Sequence, residues 1–179
     1  LRVDPPSMGA YETGVDLVGP TITYTPFGNT ISTADRTLLS VSISDPSGVA
    51  SGGLAPRIYY KKNAGAYFSQ ACSFVSGTTY TCTIVVADIG GVVTGDTVSY
   101  FVIAQDTFGN VTSNPSAGLV ASNVNTVTTP PTTPNSYLIA TAISGTRSVC
   151  ASGCDYTTLT GATGIFKAIN TGVATGNIE

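Results

Sequence analysis

The sequence predicts an all-β protein: an immunoglobulin-like antiparallel β-sandwich of about seven strands, followed by a C-terminal strand and short-helix segment. Three observations carry this expectation. Short apolar runs recur at close, even intervals from Thr21 to Val127, with turn residues between them and no amphipathic helix. One of these runs folds back on itself around Gly77 with a cysteine on each arm. Seven strands in about a hundred residues is the dimension of an immunoglobulin-type domain.

The first strand is read at Thr21–Tyr24. In the second, Leu39, Val41 and Ile43 alternate with Ser40, Ser42 and Ser44, the period-2 pattern of a strand with one wet face, and Asp45-Pro-Ser-Gly48 stops it. Arg57–Lys62, Tyr67–Val75, Thr79–Val86, Thr97–Gln105 and Leu119–Val127 supply the rest, with a turn at Asp106-Thr-Phe-Gly-Asn110. Thr97–Gln105 has apolar residues on both parities, Val98, Tyr100 and Val102 against Phe101 and Ile103, which predicts a central strand.

If the hairpin turn centres on Gly77, Cys72 faces Cys82 across the two arms. Facing residues lie about 4.5 to 5.5 Å apart at Cα, within disulfide range. The same register gathers Phe74, Tyr80, Cys82 and Ile84 on one face. Cys150 and Cys154 form a second expected disulfide in a tight loop, although sequence also permits pairing between the two regions. Disulfides imply an oxidising compartment, outside the cytoplasm.

Pro130, Pro131 and Pro134 mark a boundary. The expected organisation is an N-terminal arm over 1–17, the sandwich over 18–128, a Pro/Thr linker over 129–136 and a truncated second β-rich domain over 137–179. In that last part Tyr137–Ile143 reads as a strand. Leu159–Asn170 reads as a short helix with Leu159, Ile165, Phe166 and Ile169 on one face, Gly172 as its C-cap, and a further strand begins near Gly176. So few apolar groups make a thin core, as expected where a larger domain opens. The first residue is Leu, as expected of a mature or excised segment, with any export signal upstream.

Charged residues make up only 9% of the chain, seven basic and ten acidic, against about 25% in a typical soluble protein. Without clustered Lys and Arg there is nothing to neutralise phosphates, which excludes a nucleic-acid partner. No apolar run reaches the roughly 18 residues of a membrane-spanning helix. Histidine is absent, which removes Ser-His-Asp and Cys-His arrangements and His-ligated metals. The four cysteines lack zinc spacing.

Ile43-Ser-Asp-Pro-Ser-Gly-Val49, Pro56-Arg-Ile-Tyr-Tyr-Lys61 and Val98–Asn110 resemble the Ig-like spacer modules of large secreted bacterial surface proteins and adhesins. Arg2-Val-Asp4 with Met8-Gly-Ala-Tyr-Glu12 resembles the closing signature of a right-handed parallel β-helix, and Asp155–Asn170 resembles the capped opening of one. The resemblance implies a joint between two such domains, and it specifies fold better than activity.

Candidate sites are few. Asp45, Asp88, Asp96 and Asp106 stand at strand ends, where Asp shapes turns through its own backbone. Asp45, Asp106 and Asn110 are the candidate calcium ligands, calcium being the one cofactor considered. Tyr59, Tyr60 and Tyr67 are candidate glycan contacts, with strand alternation burying one of the first two. Asn110-Val-Thr112 fits an N-glycosylation sequon, and Asp96-Thr97-Val98 resembles a bacterial O-glycosylation site at Thr97.

The expected function is a non-catalytic stalk segment of an exported, extracellular or cell-surface protein, an adhesin or filament. Its partners would be neighbouring domains of the same chain or identical subunits. The alternatives are a carbohydrate-binding accessory module of a polysaccharide-degrading enzyme and a self-assembling fibre subunit.

Overall fold

The computed structural model describes residues 16–179. Two antiparallel sheets face each other. The first contains β1 (Thr21–Thr23), β2 (Arg36–Ser44), β5 (Ser73–Ser76) and β6 (Thr79–Ile84), in the order β1-β2-β6-β5. The second contains β3 (Arg57–Lys62), β4 (Phe68–Ala71), β7 (Thr97–Gln105) and β11 (Asn135–Leu138), in the order β11-β7-β3-β4. There β8 (Val111–Asn114) pairs with the far half of β7. This is an all-β sandwich with the strand order of an immunoglobulin-type domain.

Alternation builds the core. Ile58 and Tyr60 of β3, Tyr80, Cys82 and Ile84 of β6, and Val98, Tyr100, Val102 and Ala104 of β7 all point between the sheets and are buried. Strand β2 departs from the expected alternation. Leu38 faces Cys82 while Val41 faces Tyr80, so β2 carries one extra residue, a β-bulge. The bulge switches parity, burying Leu38 with Val41 and Ile43 and leaving Leu39 exposed.

The Gly77 hairpin has the expected register, with Ser73 opposite Thr81 and Phe74 opposite Tyr80. Cys72 and Cys82 are bonded, 4.4 Å apart at Cα, and both are buried. Phe74 lies on the edge strand, exposed, with its ring edge-on to Tyr80. The single strand expected over 67–75 is two, because the chain leaves the second sheet at Cys72 and enters the first.

Strand β7 is buried on both faces, and a hairpin explains the outer one. Strands β9 (Val120–Asn123) and β10 (Thr126–Thr129) form a separate ribbon that covers Phe101 and Ile103, with Val124 at its tip fully buried. The strand expected over 119–127 is this ribbon, while β8 was not legible as a strand.

The proline segment does not end the sandwich. After Pro134 the chain returns as β11, pairing Asn135 with Tyr100 through Leu138 with Thr97, and Tyr137 and Ile139 join the core. Prolines suit this path because β11 is an edge strand. The boundary expected at 129–136 therefore moves past Ala140.

Beyond Thr141, β12 (Ala142–Gly145) and β13 (Val173–Ile178) pair in parallel, connected through helix α1 (Ile165–Thr171). The helix is shorter than expected. Gly161 has φ +88°, and the helix starts only after Gly164. Of the four expected apolar residues only Ile165 is buried; Leu159, Phe166 and Ile169 are exposed. Gly172 is extended rather than left-handed, and glycine is favoured there by space: a Cβ would stand 2.8 Å from the backbone Ala168 O and 2.6 Å from Ile143 Cδ1. Cys150 is bonded to Cys154. No helix among the described residues is long and apolar enough to cross a membrane. The Arg2–Asp4 and Met8–Glu12 signatures lie outside the described residues.

Candidate functional site

Two matching turns lie side by side at one end of the sandwich. Asp45-Pro-Ser-Gly48 follows β2, and Asp106-Thr-Phe-Gly109 follows β7. In each, the aspartate Oδ1 accepts a hydrogen bond from the backbone N two residues on, Ser47 at 2.8 Å and Phe108 at 2.9 Å. In each, the fourth residue is left-handed, φ +93° at Gly48 and +92° at Gly109, a conformation open to glycine. Thr107 joins the two turns, its N donating to Gly48 O at 3.1 Å and its Oγ1 to Ser47 O at 2.9 Å.

This docking brings Asp45 and Asp106 together, and Asp16 completes a trio whose carboxylate oxygens lie within 4.8 Å of one another. Asp106 is buried, which works to raise its pKa. Hydrogen bonds from the Asn110 side chain and from the backbone of Asn110, Phe108 and Gly109 outweigh that and hold its carboxyl below the usual range. Three carboxylates are the hard oxygen donors that calcium takes, and these are the residues that could hold one.

Asn110 has a different part from the expected one. Its Nδ2 donates to Asp106 Oδ2 and to Asp16 O, both at 2.7 Å, so the amide ties the Asp106 turn to the segment that carries Asp16 and faces the Asp106 carboxylate as a donor. Asp16 was not identifiable beforehand, because only the fold carries it to a partner 94 residues away. The sequon side chain of Asn110 is thus engaged. Thr97 lies within β7, opposite Leu138, with its N bonded to Asn63 Oδ1.

The three candidate tyrosines do not share a surface. Tyr60 is fully buried, its OH donating to Asp88 Oδ2. Tyr59 points to the other face, stacked on Phe101 at 5.2 Å and 6°, with its OH donating to Val124 O at 2.9 Å. Tyr67 meets Phe101 edge-on at 5.4 Å, and Lys61 Nζ stands 4.9 Å from the Tyr67 ring centre. Tyr59 and Tyr67 therefore close the small outer core beneath the β9–β10 ribbon.

The remaining strand-end aspartates are also tied into the fold. The Tyr60 hydroxyl, then Gln70, lowers the pKa of Asp88, and that of Asp96 is lowered first by Val93 N and then by Asn63. Compared with known proteins, the chain matches no protein-family model and no curated sequence.

Proposed function

We propose that this chain is a non-catalytic spacer of an exported surface protein, which holds its neighbouring domains at a set distance and orientation. The observation that carries the proposal is the exit from the sandwich. Leu138–Ala140 is clamped from both sides: Thr30 N donates to Leu138 O at 3.1 Å and Ala140 N to Thr30 O at 2.7 Å. Opposite, Ile139 N donates to Asp96 O and Gly95 N to Ile139 O, both at 2.8 Å. Asn29 extends the clamp, its Oδ1 accepting from Leu138 N at 3.0 Å and its Nδ2 donating to Thr171 O of α1 at 3.3 Å. Only Thr141 separates this clamp from β12. A joint with so few free torsions transmits orientation and load.

Two disulfides favour an oxidising location. The parallel β12–β13 pair joined through a short helix fits the opening coil of a β-helix, which supports the role of a connector in a long adhesin or filament. Spin labels at Ser122 and Lys167, attached by a chemistry that leaves the disulfides intact, test the joint. A narrow distance distribution is expected; a broad one would sink the spacer role.

A second role, self-assembly through a sheet edge, is favoured by β5. This edge strand carries Phe74 and Val75, 61% and 55% exposed, with no Lys or Pro to guard it. Sedimentation that depends on concentration in the wild type and not in Phe74→Lys would support it.

A further inference from the structure

Arg147 stands where the sandwich meets the C-terminal unit. Its backbone N donates to Glu179 O at 2.8 Å, which fixes the main chain. Its guanidinium makes one ion pair, Nη1 to Asp155 Oδ1, at 3.7 Å. Nε is buried and meets no acceptor among the described residues. The side chain as a whole is 31% exposed, so it is the Nε–H in particular, buried and without an acceptor, that calls for a partner.

Arg147 also lines a cavity of about 340 Å³, which falls in the range of small-molecule sites. Ile139, Ile143 and Ala168 give it an apolar wall, Thr141 and Thr171 add polar atoms, and no acidic side chain lines it among the described residues. We propose that this cavity binds a small organic carboxylate, held on the Nε edge of Arg147. That edge of a guanidinium presents two parallel N–H groups that match a carboxylate. Asp155 pairs with Nη1 and leaves Nε without a protein acceptor among the described residues. The apolar wall selects an organic acid over an inorganic anion. The site is independent of the spacer role, since a rigid joint needs no ligand.

The test uses the whole chain with three probes: glucuronate, propionate and, as the uncharged control, glucose. Ligand-observed NMR is expected to detect a carboxylate and not glucose, and the acid that binds tells a sugar acid from an aliphatic one. Arg147→Gln is expected to weaken binding by about tenfold or more, and Arg147→Lys to weaken it as well, since an ammonium lacks the paired donors. Ala168→Leu, which fills the cavity and leaves Arg147 in place, should give a similar loss. Circular dichroism reports whether each variant folds. Should none fold, the Arg147 Nε–H resonance of the wild type decides, and it should shift on addition of the acid. No binding of either acid at millimolar concentration, equal binding in the folded variants, or an unmoved Nε–H signal would overturn the proposal.

Discussion

Gln105 and Val124 are bonded across the outer core: the buried Gln105 side chain accepts a hydrogen bond from Val124 N at 3.0 Å. Tyr59 holds the carbonyl of the same residue, so the ribbon tip is fastened at both backbone groups. Replacing Gln105 with Leu leaves a buried N–H without an acceptor, at a cost of about 1–3 kcal/mol. The denaturation midpoint should fall, and exchange of the Val124 amide should accelerate more than that of β3 amides. Unchanged exchange at Val124 would contradict this fastening.

The two disulfides should differ in accessibility. Cys72 and Cys82 are buried, whereas Cys150 is exposed. Mild reduction followed by alkylation and mass mapping is expected to label Cys150 and Cys154 first, with Cys72 and Cys82 reacting only on unfolding. Removing the buried bridge in Cys72→Ser/Cys82→Ser should lower stability by roughly 2–3 kcal/mol. Equal melting of oxidised and reduced wild type would refute a stabilising bridge.

Tyr137 and Tyr100 make a paired test of hydroxyl satisfaction. Tyr137 OH is buried without a partner among the described residues, whereas Tyr100 OH accepts from Phe27 N at 2.7 Å. Tyr137→Phe should be neutral or stabilising. Tyr100→Phe should cost about 1–3 kcal/mol, because it strands the Phe27 N–H. Thermal melts of the two variants check the order, and the reverse order would refute it.

Acid should weaken the fold. The carboxyls of Asp88, Asp96 and Asp106 are all held below their ordinary value of 3.8. A depressed folded pKa means that the unfolded chain binds more protons, so the stabilisation is present above pH 3.8 and is lost as pH falls through the folded values. Melting temperature is expected to be flat near neutrality and to drop below about pH 4, with a smaller drop in Asp106→Asn. An identical acid response in that variant would exclude Asp106 as a contributor.

Local relations were legible in the residues, and relations between distant segments were not. The Gly77 hairpin could be registered because its arms are adjacent in sequence, and the double-sided apolar pattern of Thr97–Gln105 marked a strand covered on both faces. What covers it, the ribbon carrying Val124, is a tertiary choice. The bulge in β2 was invisible because Leu39, Val41 and Ile43 alternate cleanly with serines, and only pairing with β6 shows that Leu38 goes inside. The prolines before β11 read as a break because proline cannot donate to a ladder, but an edge strand can begin beside them. Asp45 and Asp106 stood out as turn formers; their meeting with Asp16 depends on the docking of two loops.

The change of layer at Cys72 has a mechanical consequence. A chain pulled from its two ends can straighten everywhere except within its two bridged loops, and the larger of these, from Cys72 to Cys82, has a sequence separation of ten against four for Cys150–Cys154. About 35 Å of contour would stay hidden until a reductant cut the rivet. Under tension, the redox state of the surroundings would set how far this segment can stretch.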